Sequence, residues 1–263
     1  MKYLGLFLLV SMVVSCGVEQ TTSSSSSTSS SSVGDCLDSS FGSGVPDWIK
    51  NNFDCVQVSV VGSSYKFVTN DVPMHNSAYF PSDHSRYLAT MDSGRSVNPN
   101  EISAQNYTMY IPISPNTVAT TTDMNAIGVA TDGVVFYNNQ AASPDTLANE
   151  VATLDPANGH PTNTGSYHYH INPDEITNDD SNLIGIARDG YAVFGEKCPT
   201  DGNLPGVGTS SLDSYNGHTS NTGVTGLGTI YHYHLNDESG DGVSTVIVVG
   251  DSYRGSPGTM TNN

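Results

Sequence analysis

Tyr167-His168-Tyr169-His170 and Tyr231-His232-Tyr233-His234 are one four-residue string standing at two places in the chain. Strict alternation is the period of a β-strand, whose successive side chains point to opposite faces. On such strands His168 and His170 share one face and Tyr167 and Tyr169 the other, and the second copy repeats this with His232 and His234. Four imidazoles on two like-built strands make a candidate metal site, because neutral imidazole is the commonest protein metal ligand. The competing explanation is a pair of strands with aromatic faces and incidental histidines. Repetition inside a larger unit weighs against it.

That larger unit is legible. Ile127-Gly128-Val129-Ala130-Thr131-Asp132-Gly133 returns as Ile184-Gly185-Ile186-Ala187-Arg188-Asp189-Gly190. An Asp-Gly pair between apolar alternations predicts a hairpin with a type I′ turn, positive φ at both central residues. Leu154-Asp155-Pro156-Ala157-Asn158-Gly159-His160 is then matched by Leu212-Asp213-Ser214-Tyr215-Asn216-Gly217-His218, and the two strings follow. Repeat units of about 127–170 and 184–234 each run hairpin, Asn-Gly-His loop, histidine strand. A pseudo-two-fold relation between them is the simplest geometric expectation, with His160, His168, His170, His218, His232 and His234 meeting at one place.

Outside the repeat, residues 45–53 predict a short helix with Pro46 at an early position. Residues 56–61 and 65–68 alternate around Gly62-Ser63-Ser64 as a hairpin. Residues 107–111 form a strand stopped by Pro112. A short helix is expected from Ser143-Pro144-Asp145 to Leu154, and a last apolar strand over 246–249. Helical periodicity is scarce and turn residues are frequent. The expected fold is mainly β, a sandwich or barrel-like core with long loops, two pseudo-symmetric repeats and few short helices.

The chain resembles the bacterial YHYH-domain family. The Asp-Gly hairpins, the Leu-Asp-x-x-Asn-Gly-His loops and both strings carry the resemblance, with Val72-Pro73-Met74-His75 and Tyr253-Arg254-Gly255, over roughly residues 56–258. It implies the domain and brings little about a reaction. Relatives carry cysteine within the loop motif and before the terminal Arg-Gly, where this chain has Ala157, Tyr215 and Tyr253. If disulfides pin those loops in relatives, something else pins them here.

The ends set the location. Residues 1–15 read as a lipoprotein signal peptide: a short positive start, an apolar stretch too short to span a bilayer, and a small residue before Cys16. Cys16 is the expected lipidation site, and residues 16–34, rich in Ser and Thr, a tether. Residues 35–263 form one domain. This implies a lipid-anchored protein of the bacterial cell envelope, at the outer membrane or cell surface, whose membrane partner is reached through the anchor. A net charge of −18, from 26 acidic and 8 basic side chains, disfavours nucleic acid as a partner. Cys36 and Cys55 are the preferred disulfide in such a compartment. Cys198 is then an odd thiol, a partner for either of the others or a soft ligand.

Seven of the eight histidines sit in motif positions: His75 and the six of the repeat, with His84 apart. Three nitrogen ligands with an open position suit a catalytic zinc and tetragonal imidazole sites suit copper, with iron or manganese behind them. The string tyrosines read as packing residues whose hydroxyls need partners. Asp132 and Asp189 read as turn formers. Asp155 and Asp213 either orient a histidine through its second nitrogen or cap the loop, and either could serve as a general base. Asp237-Glu238-Ser239-Gly240-Asp241-Gly242 only weakly resembles a calcium loop, since Val248 stands where such a loop needs Glu. Three functions follow: a copper- or zinc-binding lipoprotein, a metal-dependent hydrolase or copper oxidoreductase using the same histidines, or a metal-free adhesion or scaffold module.

Overall fold

Short runs of β-branched and aromatic residues between turns form two main sheets and two small two-stranded ones. In chain order the elements are β1 (Ser40–Phe41), α1 (Asp47–Lys50), β2 (Gln57–Val61), β3 (Ser64–Thr69), β4 (Tyr107–Pro112), β5 (Thr120–Thr121), β6 (Gly128–Ala130) and β7 (Val135–Phe136). Then come α2 (Leu147–Val151), β8 (Gly159–Pro161), β9 (Tyr167–Tyr169), β10 (Leu183–Ala187), β11 (Ala192–Phe194), β12 (Gly217–Asn221) and β13 (Thr229–His234). Last are β14 (Asn236–Asp237), β15 (Val246–Ile247), β16 (Ser252–Tyr253) and β17 (Met260–Asn262). This computed structural model describes residues 33–176, 181–237, 246–247 and 250–263. The signal peptide, Cys16, the tether as far as residue 32, most of the acidic 237–242 turn and positions 248–249 lie outside the described residues.

The smaller sheet has the order β1-β2-β3-β4-β17, and the expected hairpin is its β2–β3 pair. The larger sheet has the order β12-β13-β11-β10-β6-β7-β9-β8. It reads the same from both edges: loop strand, Tyr-His-Tyr-His strand, then the two arms of an Asp-Gly hairpin. The hairpins meet antiparallel at the centre through β6 and β10. Each histidine strand runs parallel to a hairpin arm, β9 beside β7 and β13 beside β11. Parallel neighbours need a long crossover, and that crossover carries each Asn-Gly-His loop.

The two sheets face each other as a sandwich, and among the described residues neither closes into a barrel. Val129, Val135, Ile186, Ala192 and Phe194 of the large sheet join Val58, Phe67, Tyr107, Met109 and Ile111 of the small one in one core, with Trp48 and Ile49 of α1. The other face of the large sheet carries Phe136, Ile184, Val193, Tyr167, Tyr169 and Tyr233, covered by Val72, Tyr79, Phe80 and Ile102. Burial on both faces explains why β10 reads Leu-Ile-Gly-Ile-Ala without polar alternation.

Two local expectations are adjusted and the expected disulfide is present. The hairpins do not use type I′ turns. Gly133 N–H bonds Ala130 O and Ala130 N–H bonds Val134 O, a three-residue loop in which Gly133 has φ 84° and Asp132 keeps negative φ. Gly190, with φ 94°, closes the second loop in the same way. This is a type I turn followed by a left-handed glycine, and it frees each aspartate side chain to cap the turn. Both helices are shorter than expected: Pro46 is the N-cap residue of α1, and Thr146 caps α2. Cys36 and Cys55 are joined by a disulfide, and Cys198 is a buried free thiol.

Candidate metal centres

Each Asn-Gly-His loop is folded by its own aspartate. Asp155 Oδ1 accepts from Ala157 N at 3.0 Å and Gly159 N at 3.2 Å. Asp213 Oδ1 accepts from Tyr215 N at 2.9 Å and Gly217 N at 3.3 Å. Asn158 and Asn216 take the left-handed backbone, with φ 64° and 60°, a conformation asparagine tolerates better than most side chains. The turn delivers β8 antiparallel to β9, with His160 directly opposite His168. In the second unit His218 stands opposite His232.

The tyrosine face locks this arrangement. Tyr167 Oη donates to both oxygens of Asp155 at 2.8 and 2.9 Å, and Tyr231 Oη does the same to Asp213 at 2.9 and 3.1 Å. Tyr169 Oη donates to Asp132 at 2.8 Å and Tyr233 Oη to Asp189 at 2.5 Å. Ser77 Oγ also donates to Asp155, and Arg254 reaches Asp213 at 2.8 Å while lying 4.1 Å above the Tyr231 ring. These contacts hold the loops that carry Ala157 and Tyr215. Burial first, and the adjoining carboxylates second, push the four phenols up, so they act as donors. Burial also pushes Asp189 up to about 6 and raises Asp132 and Asp155.

Asp155 and Asp213 therefore lie on the tyrosine side of the sheet. The outward nitrogens of the histidines are held by other groups. His168 Nδ1 donates to Ser166 O at 3.2 Å, and His170 Nδ1 donates to Asn138 O at 2.6 Å. His160 Nδ1 lies 2.7 Å from Thr153 Oγ1, whose own hydroxyl donates to Glu150 O at 2.8 Å, so the imidazole is the donor. His218, His232 and His234 give their Nδ1 protons to Ser210 O, Ile230 O and Gly195 O at 2.6, 3.0 and 2.6 Å.

A carbonyl can only accept, so these bonds leave a lone pair on each Nε2. The lone pairs converge. His168 Nε2 is 3.2 Å from His160 Nε2 and 3.0 Å from His170 Nε2. His234 Nε2 is 3.0 Å from His232 Nε2 and 3.1 Å from His218 Nε2. Acceptors facing acceptors in a dry site repel unless a cation lies between them. Burial, followed by neighbouring imidazoles, lowers His168 well below its ordinary value and His170 to about 4. Burial likewise lowers His232 to about 4 and His234 to about 3.

The six histidines do not meet at one place. They form two triads on the same face of the large sheet, at its opposite ends. β9 and β13 are five strand steps apart, about 24 Å at the usual strand spacing. His75 joins neither triad: its Nε2 bonds Tyr169 Oη at 3.0 Å on the tyrosine side. The triads are apart because hairpin arms occupy the middle of the sheet and push the histidine strands outward, and His75 is apart from both because it packs on the other face.

Sequence reasoning missed one acidic neighbour. Glu150 of α2 places Oε2 3.0 Å from His160 Nε2, where it competes with Thr153 Oγ1 for the His160 proton, and its interaction with His160 holds its carboxyl below the ordinary range. Glu150 lies outside every repeated motif, so nothing in the pattern marked it. With His160, His168 and His170 it borders a cavity of about 590 Å³, also lined by Asn98, Asn100, Tyr137 and Asp145. Tyr137 stacks on His168, ring centres 4.0 Å apart.

A metal–nitrogen bond of about 2.05 Å across separations of 3.0–3.2 Å subtends roughly 94–103° at the ion. That lies between the right angles of tetragonal copper and the tetrahedral angle of zinc, so these two separations favour neither ion over the other.

The fold and these clusters define a mainly-β protein with two buried groups able to hold a metal ion, His160 with His168 and His170, and His218 with His234 and Cys198. Residues 108–209 match the family model described as YHYH protein. The matched stretch contains the first triad and ends before His218. No curated protein and no solved structure matches the chain.

Proposed function

We propose that this is a lipid-anchored protein of the bacterial cell envelope that binds a copper or zinc ion at His160, His168 and His170. One observation carries the reading: three Nε2 lone pairs turned toward one another, each fixed by a hydrogen bond at the opposite nitrogen. Packing alone gives no reason to orient all three rings this way. The cavity beside the triad provides the open coordination position. His218, His232 and His234 repeat the inward arrangement and are read as a second metal group. The envelope location rests on the leader, Cys16 and the Ser/Thr stretch of the sequence.

Glu150 favours a second reading within the first, a metal-dependent hydrolase. A carboxylate at the edge of the cavity and beside one ligand can take a proton from a metal-bound water. The experiment is metal analysis of the native protein and of His168→Ala and His232→Ala variants after reloading with zinc or copper. Loss of one equivalent in each variant is expected. Unchanged metal content in both variants, or no binding by native protein, would overturn the reading.

A further inference from the structure

The two histidine triads are built alike but end differently. At the first, the group added to the imidazoles is the carboxylate of Glu150, at the edge of a cavity. At the second it is a thiol. Cys198 Sγ lies 3.7 Å from His218 Nε2, and the donor atoms of Cys198, His218 and His234 all fall within 4.8 Å of one another. His232 Nε2 adjoins His234 Nε2 at 3.0 Å. Cys198 and His234 are 0 % exposed and His218 is 4 % exposed.

The spacing suits a shared ion. A metal–sulfur bond of about 2.3 Å and a metal–nitrogen bond of about 2.05 Å at a tetrahedral angle put sulfur and nitrogen roughly 3.6 Å apart, close to the observed 3.7 Å. The contact is within the range of a hydrogen bond from a thiol to a neutral imidazole, and it is equally the length expected of two ligands of one metal. The residue is also out of place otherwise. The other two cysteines of the domain form a disulfide, while Cys198 is held among polar groups, 3.3 Å from Thr209 Oγ1. Its position follows from the fold. Gly195, whose carbonyl fixes His234, and Asn138, whose carbonyl fixes His170, are counterparts at the two triads. Three residues after Gly195 stands Cys198, and three after Asn138 stands Ala141.

We propose that Cys198, His218 and His234, with His232 as the fourth donor, form a closed thiolate–imidazole centre for a thiophilic borderline ion such as Zn(II). It is distinct from the open nitrogen–carboxylate centre at the other end of the sheet. Binding transfers the thiol proton to solvent and forms the metal–sulfur bond, with no change of oxidation state. Closed four-donor sites with sulfur hold structural metals, whereas sites that keep an open position serve chemistry. The division gives the second centre the task of fixing the 195–218 crossover. The inference rests on the proposed metal binding of the histidine triads only for the second triad.

Cobalt(II) tests it, because a cobalt–thiolate bond gives a near-ultraviolet charge-transfer band that imidazole and carboxylate ligands do not. The protein is the full chain carrying Cys16→Ser, so that Cys198 is the one free thiol. Two cobalt equivalents are expected, one of them raising the thiolate band. His168→Ala should remove the other equivalent and leave the band intact. Cys198→Ser should lose the band and weaken that equivalent at least tenfold, with an unchanged circular dichroism spectrum showing that it folds. His218→Ala should do the same, so a folding failure in one variant leaves the other to decide. A native protein that binds cobalt without the band, or a band that survives Cys198→Ser, would overturn the proposal. Failure of the first centre alone would show as one equivalent with the band present, and would leave this inference standing.

Discussion

Thr153→Val is the substitution that most directly tests how the first triad is set. Thr153 Oγ1 accepts the Nδ1 proton of His160 at 2.7 Å, while Glu150 Oε2 stands 3.0 Å from the opposite nitrogen. The two oxygens pull one imidazole proton in opposite directions. With Thr153 present the proton sits on Nδ1 and Nε2 offers its lone pair to the triad. Valine keeps the volume and removes the acceptor, so the proton moves to Nε2, where Glu150 accepts it, and one of three ligands is lost for much of the time. Loss of an outer partner of a metal-bound histidine typically costs 10–100-fold in affinity, about 1.4–2.8 kcal/mol. The variant also gives up the Thr153 hydroxyl bond to Glu150 O, about 1 kcal/mol of fold stability, which lowers Tm by roughly 2–4 °C for a domain of this size. That loss is independent of metal. The assay is therefore a competition titration of zinc against a chelating dye at fixed pH, with the second centre as the internal control. Affinity at the first centre within twofold of native, in a folded protein, would refute the assignment of the His160 proton.

Other expectations follow from the same geometry. Burial holds His168 and His170 below the ordinary histidine value, so these two release no proton on binding above pH 7, and zinc affinity at the first centre should change little with pH. Burial pushes the Cys198 thiol up, so binding at the second centre must release its proton and should strengthen about tenfold per pH unit between 7 and 8.5; equal slopes in calorimetric titrations would contradict this. His170 is lowered to about 4, and protons compete with metal only as pH falls toward that value, so zinc should leave the first centre nearer pH 4–5 than the ordinary 6.5 of histidine. Gly159→Ala should destabilise the fold by about 1–3 kcal/mol or more, because its methyl group would enter the Tyr167 ring; chemical denaturation reads this, and a neutral result would mean the loop has room. Tyr169→Phe strips the half-buried Asp132 of its phenol donor and should cost about 1 kcal/mol; by loosening the strand that carries His168 and His170 it should also weaken zinc at the first centre and leave the second unchanged. Cys16→Ser should move the protein from the membrane fraction to the soluble envelope fraction in cell fractionation.

Alternation in residues 167–170 and 231–234 placed histidines and tyrosines on opposite faces without error, because a strand allows no other arrangement. The pairing of each Asn-Gly-His loop with its own string was also legible, since both recur in order. What could not be read was the order of strands across the sheet. Sequence gives neighbours along the chain, whereas β6 and β10 meet through contacts between residues 128 and 187. That central pairing drives the two triads apart. Asp155 and Asp213 illustrate a second limit: the same Leu-Asp-x-x-Asn-Gly pattern serves a metal-orienting carboxylate or a loop cap, and only the Tyr167 and Tyr231 hydroxyls on the far side decide. Glu150 and Cys198 show a third. Residues that distinguish two similar sites are by nature the ones a repeat does not contain.

The Tyr-His-Tyr-His string is best understood as a two-sided fastener. A metal triad must hold its ligands in place when empty, against the mutual repulsion of converging lone pairs, and backbone carbonyls at Nδ1 fix only ring orientation. The position of each strand against its loop is fixed from the other face, where Tyr167 reaches Asp155 and Tyr231 reaches Asp213, the aspartates around which the Asn-Gly-His turns are wound. Tyr169 and Tyr233 tie the same strands to the hairpin aspartates Asp132 and Asp189. Each string is thus pinned to the loop that supplies its third histidine and to the hairpin beside which it lies. A chain with tyrosine replaced by another large apolar residue would fill the core equally well and lose that register. The requirement for hydroxyls on one face and imidazoles on the other is what makes the four-residue pattern strict, and it explains why the pattern recurs as a whole at both ends of the sheet.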